Sequence, residues 1–296
     1  MSVRVFSMFT GIGGFELGIE QSDINTELVG YAEIDKYAIL IFEKQFTGVT
    51  NYGDATAITA SNLPDFDLLV GGFPCQAFSI AGKQQGFSDT RGTLFFDIAR
   101  ICAEKRPRYL VLENVKGLLS HDGGQTFQRI LRVLADLGYR VEWQVLNSKN
   151  FGVPQNRERV FIVGYLGERS GQEIFPLTTY SQSASVVALQ QLNKAESQGN
   201  RIYDSSGLAT TLASQAGGLG AKTGLYQIDT QVRRLTPTEC ERLQGFPDGW
   251  TAGLSDTQRY KTLGNAVTVP VVTAVINQLV KTFINDKAST HLTTLS

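Results

Sequence analysis

Val3-Arg4-Val5-Phe6-Ser7-Met8-Phe9 runs directly into Thr10-Gly11-Ile12-Gly13-Gly14-Phe15-Glu16-Leu17-Gly18. An apolar run of strand length, a glycine turn and a helix start open a parallel α/β sheet, and such a sheet sets a nucleotide there against backbone N–H groups. The dinucleotide fingerprint GxGxxG calls for Gly or Ala at position 16, where Glu16 stands and would repel a pyrophosphate. The loop thus disfavours NAD or FAD and favours a cofactor without phosphate and with some positive charge. Glu33 ends the next predicted strand, 22 residues after Gly11, where a carboxylate can accept both hydroxyls of a ribose. Taken alone, the loop reads equally well as a glycine turn beside a solvated glutamate.

Outward from this loop the pattern repeats. Val3–Phe9, Glu27–Tyr31, Leu68–Val70, Tyr109–Leu112, Val141–Leu146 and Val160–Val163 read as strands, several too apolar to be buried on one face only. Asp35–Phe46, Leu94–Glu104 and Thr126–Leu137 carry apolar residues at helical spacing, with Gly138 as a stop. Alternation of strand and helix predicts a mostly parallel sheet covered on both faces. After Gly164 the texture changes to Ser, Thr, Gln and Gly, as in Ser181-Gln182-Ser183-Ala184-Ser185. This predicts a smaller β-rich unit over 176–261, with 1–175 and 262–296 forming the main domain. Val267–Phe283 returns to a helix-like apolar pattern that packs back on the sheet, and residues past Asp286 are expected to fray.

The composition suits a folded soluble chain: 296 residues, 42% hydrophobic, 19% charged. Three separate cysteines, Cys75, Cys102 and Cys240, make neither a disulfide framework nor a zinc motif, and only two histidines exist, so no metal is expected. The glycine-broken N-terminus is not a signal peptide and no run approaches the ~20 apolar residues of a membrane span, which points to the cytoplasm. A net charge of -1 argues against a histone-like nucleic-acid binder, yet the total hides a segregation. Between Glu20 and Asp67 nine acidic residues face only Lys36 and Lys44, a local sum of -7, so the remainder sums to +6. Lys83, Arg91, Arg157, Arg159, Arg201, Arg233 and Arg234 are expected to line one cleft.

Gly71-Gly72-Phe73-Pro74-Cys75-Gln76 puts one cysteine on a tight loop at the carboxyl edge of the sheet, where open α/β proteins bind ligands. Free backbone N–H donors there lower a thiol pKa and favour the nucleophilic thiolate. Cys102 and Cys240, on apolar helix faces, read as small buried hydrophobes.

Taken together, FTGIGGFELG, GGFPCQAFS, RGTLFFDIAR, ENVKGLL, QNRERVFIVG, RRLTPTECERLQGFP and GNAVTVPV occur in the order and approximate spacing of the cytosine-5 DNA methyltransferases. The chain resembles that family over nearly its whole length, most of all the short bacterial HhaI-type enzymes. The resemblance implies a Rossmann-like S-adenosylmethionine-dependent methyltransferase domain with a smaller β-rich target-recognition domain. It also implies that a methyl group passes to carbon 5 of a cytosine flipped out of duplex DNA, in a restriction-modification system or as an orphan enzyme. The partners are then double-stranded DNA and, in such a system, a cognate restriction endonuclease, with the chain acting as a monomer.

By the same resemblance Cys75 adds to carbon 6 of the ring. Glu113, in Glu113-Asn114-Val115, is the protonated acid at ring nitrogen 3. Arg159 holds the base carbonyl, and Arg157 lies beside the catalytic loop and the phosphates. The cofactor falls to Phe9, Gly11, Gly13, Gly14, Glu33, Ile34, Asp54, Ala55, Pro74, Leu94, Asn265 and Val267, with Glu33 on the ribose and Asp54 near the adenine. Ser79 and Lys83, on a closing loop from Ser79 to Thr90, reach the phosphates. Gln198 fills the gap left by the flipped base, Arg201 reads a guanine and Thr211 anchors a phosphate. Two departures stand out: Ser7 replaces an Asp common in the family, and Ala81 replaces a Ser of close relatives. A DNA-binding paralogue without turnover is disfavoured by intact Cys75, Glu113 and Arg159. The RNA-methylating branch is disfavoured by the separate recognition unit.

Overall fold

Leu68, Leu69, Val70 and their neighbours alternate between two apolar surroundings, which is what a strand covered on both faces requires. The computed structural model describes residues 2–74, 94–167, 173–177, 188–195, 197–214 and 223–292, with Gln198 and 282–292 described in backbone only. Strands β1 (Val3–Met8), β2 (Thr26–Ala32), β3 (Leu68–Gly72), β4 (Tyr109–Val115), β5 (Tyr139–Asn147) and β6 (Glu158–Leu166) form one sheet in the order β2-β1-β3-β4-β6-β5. The pairs among β2, β1, β3 and β4 are parallel, and β6 runs antiparallel to both β4 and β5. The predicted mostly parallel sheet is present, with β6 the one reversed strand.

Helices α1 (Gly14–Glu20), α2 (Lys36–Gln45), α3 (Leu94–Lys105) and α4 (Gln125–Asp136) occupy the predicted positions, and Gly138 follows α4 in the left-handed region. Phe6, Met8, Leu69, Leu110 and Leu112 pack on one face with residues of α3 and α4. Val5, Leu68, Val70 and Val111 pack on the other with Phe15 and Ile19 of α1 and with Val271, Val275 and Leu279 of the last helix, α7 (Val269–Leu292). That helix continues past Asp286 where fraying was expected; no Gly or Pro interrupts 283–292.

The smaller unit holds a three-stranded sheet, β7 (Ile202–Asp204), β8 (Leu225–Ile228) and β9 (Gln231–Arg234), followed by α5 (Pro237–Gln244) and α6 (Asp256–Asn265). Among the described residues its apolar side chains share one cluster with the first unit. Tyr203, Leu212, Tyr226, Phe246, Trp250 and Leu263 pack with Ile12, Leu17, Ala38 and Ile41 of the first unit. The Trp250 indole donates to the Ile12 carbonyl (2.8 Å), and Lys261 pairs with Asp35 (2.7 Å). One stretch, Asp256–Lys281, is apolar and long enough to cross a membrane, against the expectation from sequence; 67% of its most apolar window is buried inside the protein, which accounts for its apolarity.

The carboxyl ends of β1, β3 and β4 carry the candidate site, and close approach fixes them. A Cβ on Gly71 would lie 2.6 Å from the Met8 carbonyl oxygen across the β1–β3 pair. Gly71→Ala should therefore lower the unfolding free energy by about 1–3 kcal/mol, read as a lower urea midpoint. An unchanged midpoint would mean the two strands have slack there.

Candidate active site

The loop after β1 is held by one carboxylate. Phe9 takes a left-handed φ of 56°, rare for a non-glycine residue, and its N–H and that of Thr10 both donate to the Ala32 carbonyl at the end of β2. Glu33 then accepts from the N–H groups of Gly11, Ile34 and Asp35, each at 2.8 Å. A carboxylate offers about four acceptor sites, so Glu33 retains one. Accepting both ribose hydroxyls, as read from the sequence, requires one backbone bond to be released.

Asn51, which the sequence did not single out, clamps this arrangement. Its side chain accepts from the N–H groups of Glu33 and Gly53 and donates to the Glu33 carbonyl. Arg100 of α3 performs the equivalent task for the next loop, donating to the carbonyls of Ile58 (2.6 Å) and Ala55 (3.0 Å) beside the exposed Asp54. Both are polar residues in ordinary strand or helix settings, and only the three-dimensional contacts reveal them. Ile34, next to Glu33, is 71% exposed, an apolar side chain left on the surface. Gly14 packs closely on the segment before α7: a Cβ there would fall 2.8 Å from Val267.

A second cluster forms where β4 and β6 meet. Glu113 and Arg159 form an ion pair, Nε to Oε1 3.0 Å, with Glu113 8% exposed. Burial pushes the Glu113 carboxyl above the ordinary range and the positive Arg159 and Arg157 pull the other way. Burial likewise lowers the Arg159 guanidinium, opposed by Glu113. Gly72 leaves the space beside Glu113 open, since a Cβ there would approach Oε2 to 3.2 Å. The Asn114 amide donates to the Phe73 carbonyl (2.8 Å), tying this strand end to the segment that leads into Pro74. Pro74 is exposed and Leu94 opens α3. Cys75, Ser79 and Lys83, together with Ala81 and Arg91, lie outside the described residues.

The structure corrects the reading of Arg157. Its guanidinium does not face a phosphate; it is 2% exposed and donates to the carbonyls of Leu212 (3.0 Å), Gly264 (3.1 Å) and Ala266 (2.8 Å). These carbonyls flank Asn265 and Val267 on one side and Thr211 on the other. Burial, reinforced by the like charge of Arg159, pushes Arg157 down to about 9. Gln155 completes the tie, donating to the Leu243 carbonyl and Gln244 Oε1 and accepting from the Leu212 N–H.

Most of the cations expected to line one cleft already have partners among the described residues. Besides Arg157, Arg159 is committed to Glu113, Arg233 pairs with Glu239 through both terminal nitrogens (2.9 Å each), and Arg234 stacks over Tyr260. Arg201 donates to the Ala195 carbonyl (3.2 Å), and Thr211 spends its hydroxyl proton on the Asn156 carbonyl (2.7 Å). A phosphate contact from Thr211 requires that bond to open. Gln198 lies in a short 3-10 turn, Gln198–Asn200, of which only its backbone is described.

With this geometry in hand, the chain was compared with known proteins. It matches the family described as C-5 cytosine-specific DNA methylase in two overlapping segments, residues 3–203 and 170–281. It is 40% identical to the Type II methyltransferase M.NlaX of Neisseria lactamica, covering 93% of this chain and 96% of that one. It is 37% identical to the Type II methyltransferase M.HhaI of Haemophilus parahaemolyticus, covering 91% and 92%. Among solved structures, S. pombe Dnmt2 methyltransferase superposes with a TM-score of 0.74 at 19% identity over 95% of this chain and 98% of that one.

The buried position of Arg157 separates two outcomes. Arg157→Ala should destabilise the fold by about 3 kcal/mol or more, because charge-assisted hydrogen bonds to three buried carbonyls are lost. A protein that instead unfolds at the wild-type denaturant concentration and only binds DNA more weakly would return Arg157 to the surface role.

Proposed function

Since the chain belongs to the C-5 cytosine-specific DNA methylases, we propose that it methylates carbon 5 of cytosine within one specific duplex sequence, with S-adenosylmethionine as donor. The observation that carries this reading is the Glu113–Arg159 pair, buried at the sheet edge next to the strand that leads to Cys75. Carbon 5 of cytosine is a poor nucleophile. Adding the Cys75 thiolate at carbon 6 makes it reactive, provided that the charge developing at ring nitrogen 3 is met by an acid. Glu113 suits that task because burial favours its protonated form. Arg159, fixed through its Nε, keeps guanidinium N–H groups to hold the base carbonyl and limits how far the Glu113 carboxyl rises. Arg157 acts at one remove, fastening the segments on which Asn265, Val267 and Thr211 sit.

The residues around the β1 loop fit the donor. Its binding place offers carboxylates and backbone N–H groups with an exposed Ile34 for an aromatic base, which suits a cationic nucleoside without phosphate. When bound, S-adenosylmethionine supplies an electrophilic methyl group on a sulfonium centre. Glu33 would hold the ribose, Asp54 and Ala55 the adenine edge, and Phe9, Gly11, Gly13, Gly14, Pro74, Leu94, Asn265 and Val267 the remaining walls. DNA contacts are assigned to Ser79 and Lys83 of the loop after Cys75 and to Gln198, Arg201 and Thr211 of the smaller unit, 176–261. Relatives named as Type II methyltransferases support a place in a restriction-modification system beside a cognate endonuclease, and the chain is proposed to act as a monomer in the cytoplasm.

Bisulfite sequencing of plasmid from cells expressing the chain should reveal one methylated cytosine context. Cys75→Ser should abolish this while S-adenosylmethionine still binds; retained methylation rules out the nucleophile. Glu113→Gln should lower the turnover rate ~10²- to 10⁴-fold with DNA affinity kept, and a rate within a factor of two would remove the acid from the mechanism.

A further inference from the structure

Glu16 lies in the first turn of α1, two residues past the loop that Glu33 holds, and is 3% exposed. Among the described residues neither carboxylate oxygen has a partner at ordinary hydrogen-bond distance. Thr10 donates to the Ser7 hydroxyl (3.2 Å) at the end of β1, which leaves the Ser7 proton to turn toward Glu16, where it favours the charged form. Beside Glu16 opens a cavity of about 110 Å³ with Ile19, Leu28 and Phe46 among its walls and Glu20 the other acid on its lining. The charges that act on Glu16 are Glu20 on its own helix and Glu33 beyond β2, both carboxylates; β1 contributes only the Ser7 hydroxyl. A buried acid with one hydroxyl facing it and no cation beside it among the described residues destabilises the fold relative to an apolar side chain of the same size.

Glu33 connects this orphan acid to the cofactor loop: it is within electrostatic reach of Glu16, and it accepts from the Gly11 N–H. Glu16 stands in the first turn of the helix that leaves the loop, five residues past Gly11, and a cation held on the loop acts on it through buried protein, where Coulomb attraction is weakly screened. The donor carries a positive sulfonium and the product a neutral thioether; the two differ at the sulfur by one methyl group and one charge. We propose that Glu16 is a specificity-determining residue that favours the sulfonium donor over the thioether product through charge rather than contact. The proposal rests on the β1 loop being the S-adenosylmethionine site. In the reaction cycle it assists product release, since methyl transfer removes the charge that Glu16 attracts.

Burial, with the two neighbouring carboxylates, raises Glu16 to about 7. A nearby cation lowers that value, so the donor complex binds fewer protons than the free protein and donor affinity rises as pH increases through about 7. The product at its neutral sulfur gains nothing by the same change.

The test is calorimetric titration of S-adenosylmethionine and of S-adenosylhomocysteine into the full chain, between pH 6 and pH 8. Wild type, Glu16→Gln and Glu16→Met are compared. The variants supply the reference for every other titrating group on protein and ligand, and their product affinity reports that the site is folded. The donor-to-product affinity ratio should rise about fivefold more across this range in wild type than in either variant. Equal pH dependence in all three proteins overturns the role of Glu16. Failure of wild type to bind either ligand overturns both this proposal and the reading of the loop as the cofactor site, and is distinguishable from the first outcome. Should both variants fail to bind product, the pH dependence of the ratio in wild type decides: a flat ratio overturns the proposal and a rise centred near pH 7 supports it.

Discussion

The structure depends on one buried guanidinium. Arg157 reaches from the start of β6 to the carbonyls of Leu212, Gly264 and Ala266, three points on segments separated by 55 to 109 residues from it. A charge taken out of water is costly unless its protons find acceptors, so the position is tolerable only while all three segments stay in place. Gln155 and Gln244 extend the constraint. Gln244 donates to the Leu263 and Ala266 carbonyls and accepts from Thr268, whose hydroxyl also meets Ser148. The smaller unit, the end of α6 and the catalytic strands are thereby fixed as a set. The apolar cluster that Tyr226, Trp250 and Leu263 share with Ile12 and Ile41 has the same consequence from the other side.

That constraint places two electrostatic environments a short distance apart. Around the β1 loop carboxylates predominate, Glu16, Glu20, Glu33, Asp35 and Asp54, and of these only Asp35 forms an ion pair among the described residues, with Lys261. Around β4 and β6 the arginines outnumber the acid: Glu113 feels both Arg157 and Arg159. A cationic small molecule and an electron-rich base call for these opposite surroundings. The whole-chain charge of -1 averages them and carries no information about either.

The fold was largely legible from sequence because it rests on periodicity. Every predicted strand and helix of the first half is found, since two-sided burial demands unbroken apolar runs such as Leu68–Val70. The reversal of β6 is invisible to periodicity, because an antiparallel strand buried on both faces has the same apolar run as a parallel one. Glu113 and Arg159 were legible through the resemblance of their motifs, Glu113-Asn114-Val115 and Gln155-Asn156-Arg157-Glu158-Arg159, and not from the residue types alone. Site geometry was illegible where role depends on what lies across the chain. Arg157 and Arg159 are two residues apart with the same side chain, yet one is a strut and the other pairs with an acid. A count of cations has the same limit, since it does not say which are already paired with Glu113 or Glu239.

The Glu113–Arg159 pair shows why neither partner alone sets the chemistry. An isolated carboxyl buried at the sheet edge would stay protonated too firmly to exchange its proton with a ring nitrogen. An arginine in van der Waals reach would, with full Coulomb strength, hold it as a carboxylate with no proton to give. Desolvation and ion pairing act on Glu113 with opposite sign, and desolvation is the larger. The Gly72 backbone keeps the space beside Oε2 clear. The carboxyl can then lean toward a base on that side while its other oxygen remains on Arg159. A side chain at position 72 would close that approach, and replacing Arg159 by lysine would substitute a mobile point charge for the fork that fixes the carboxyl. Proton affinity and orientation at this acid are therefore one property, determined jointly by an arginine and by the absence of a side chain on the neighbouring strand.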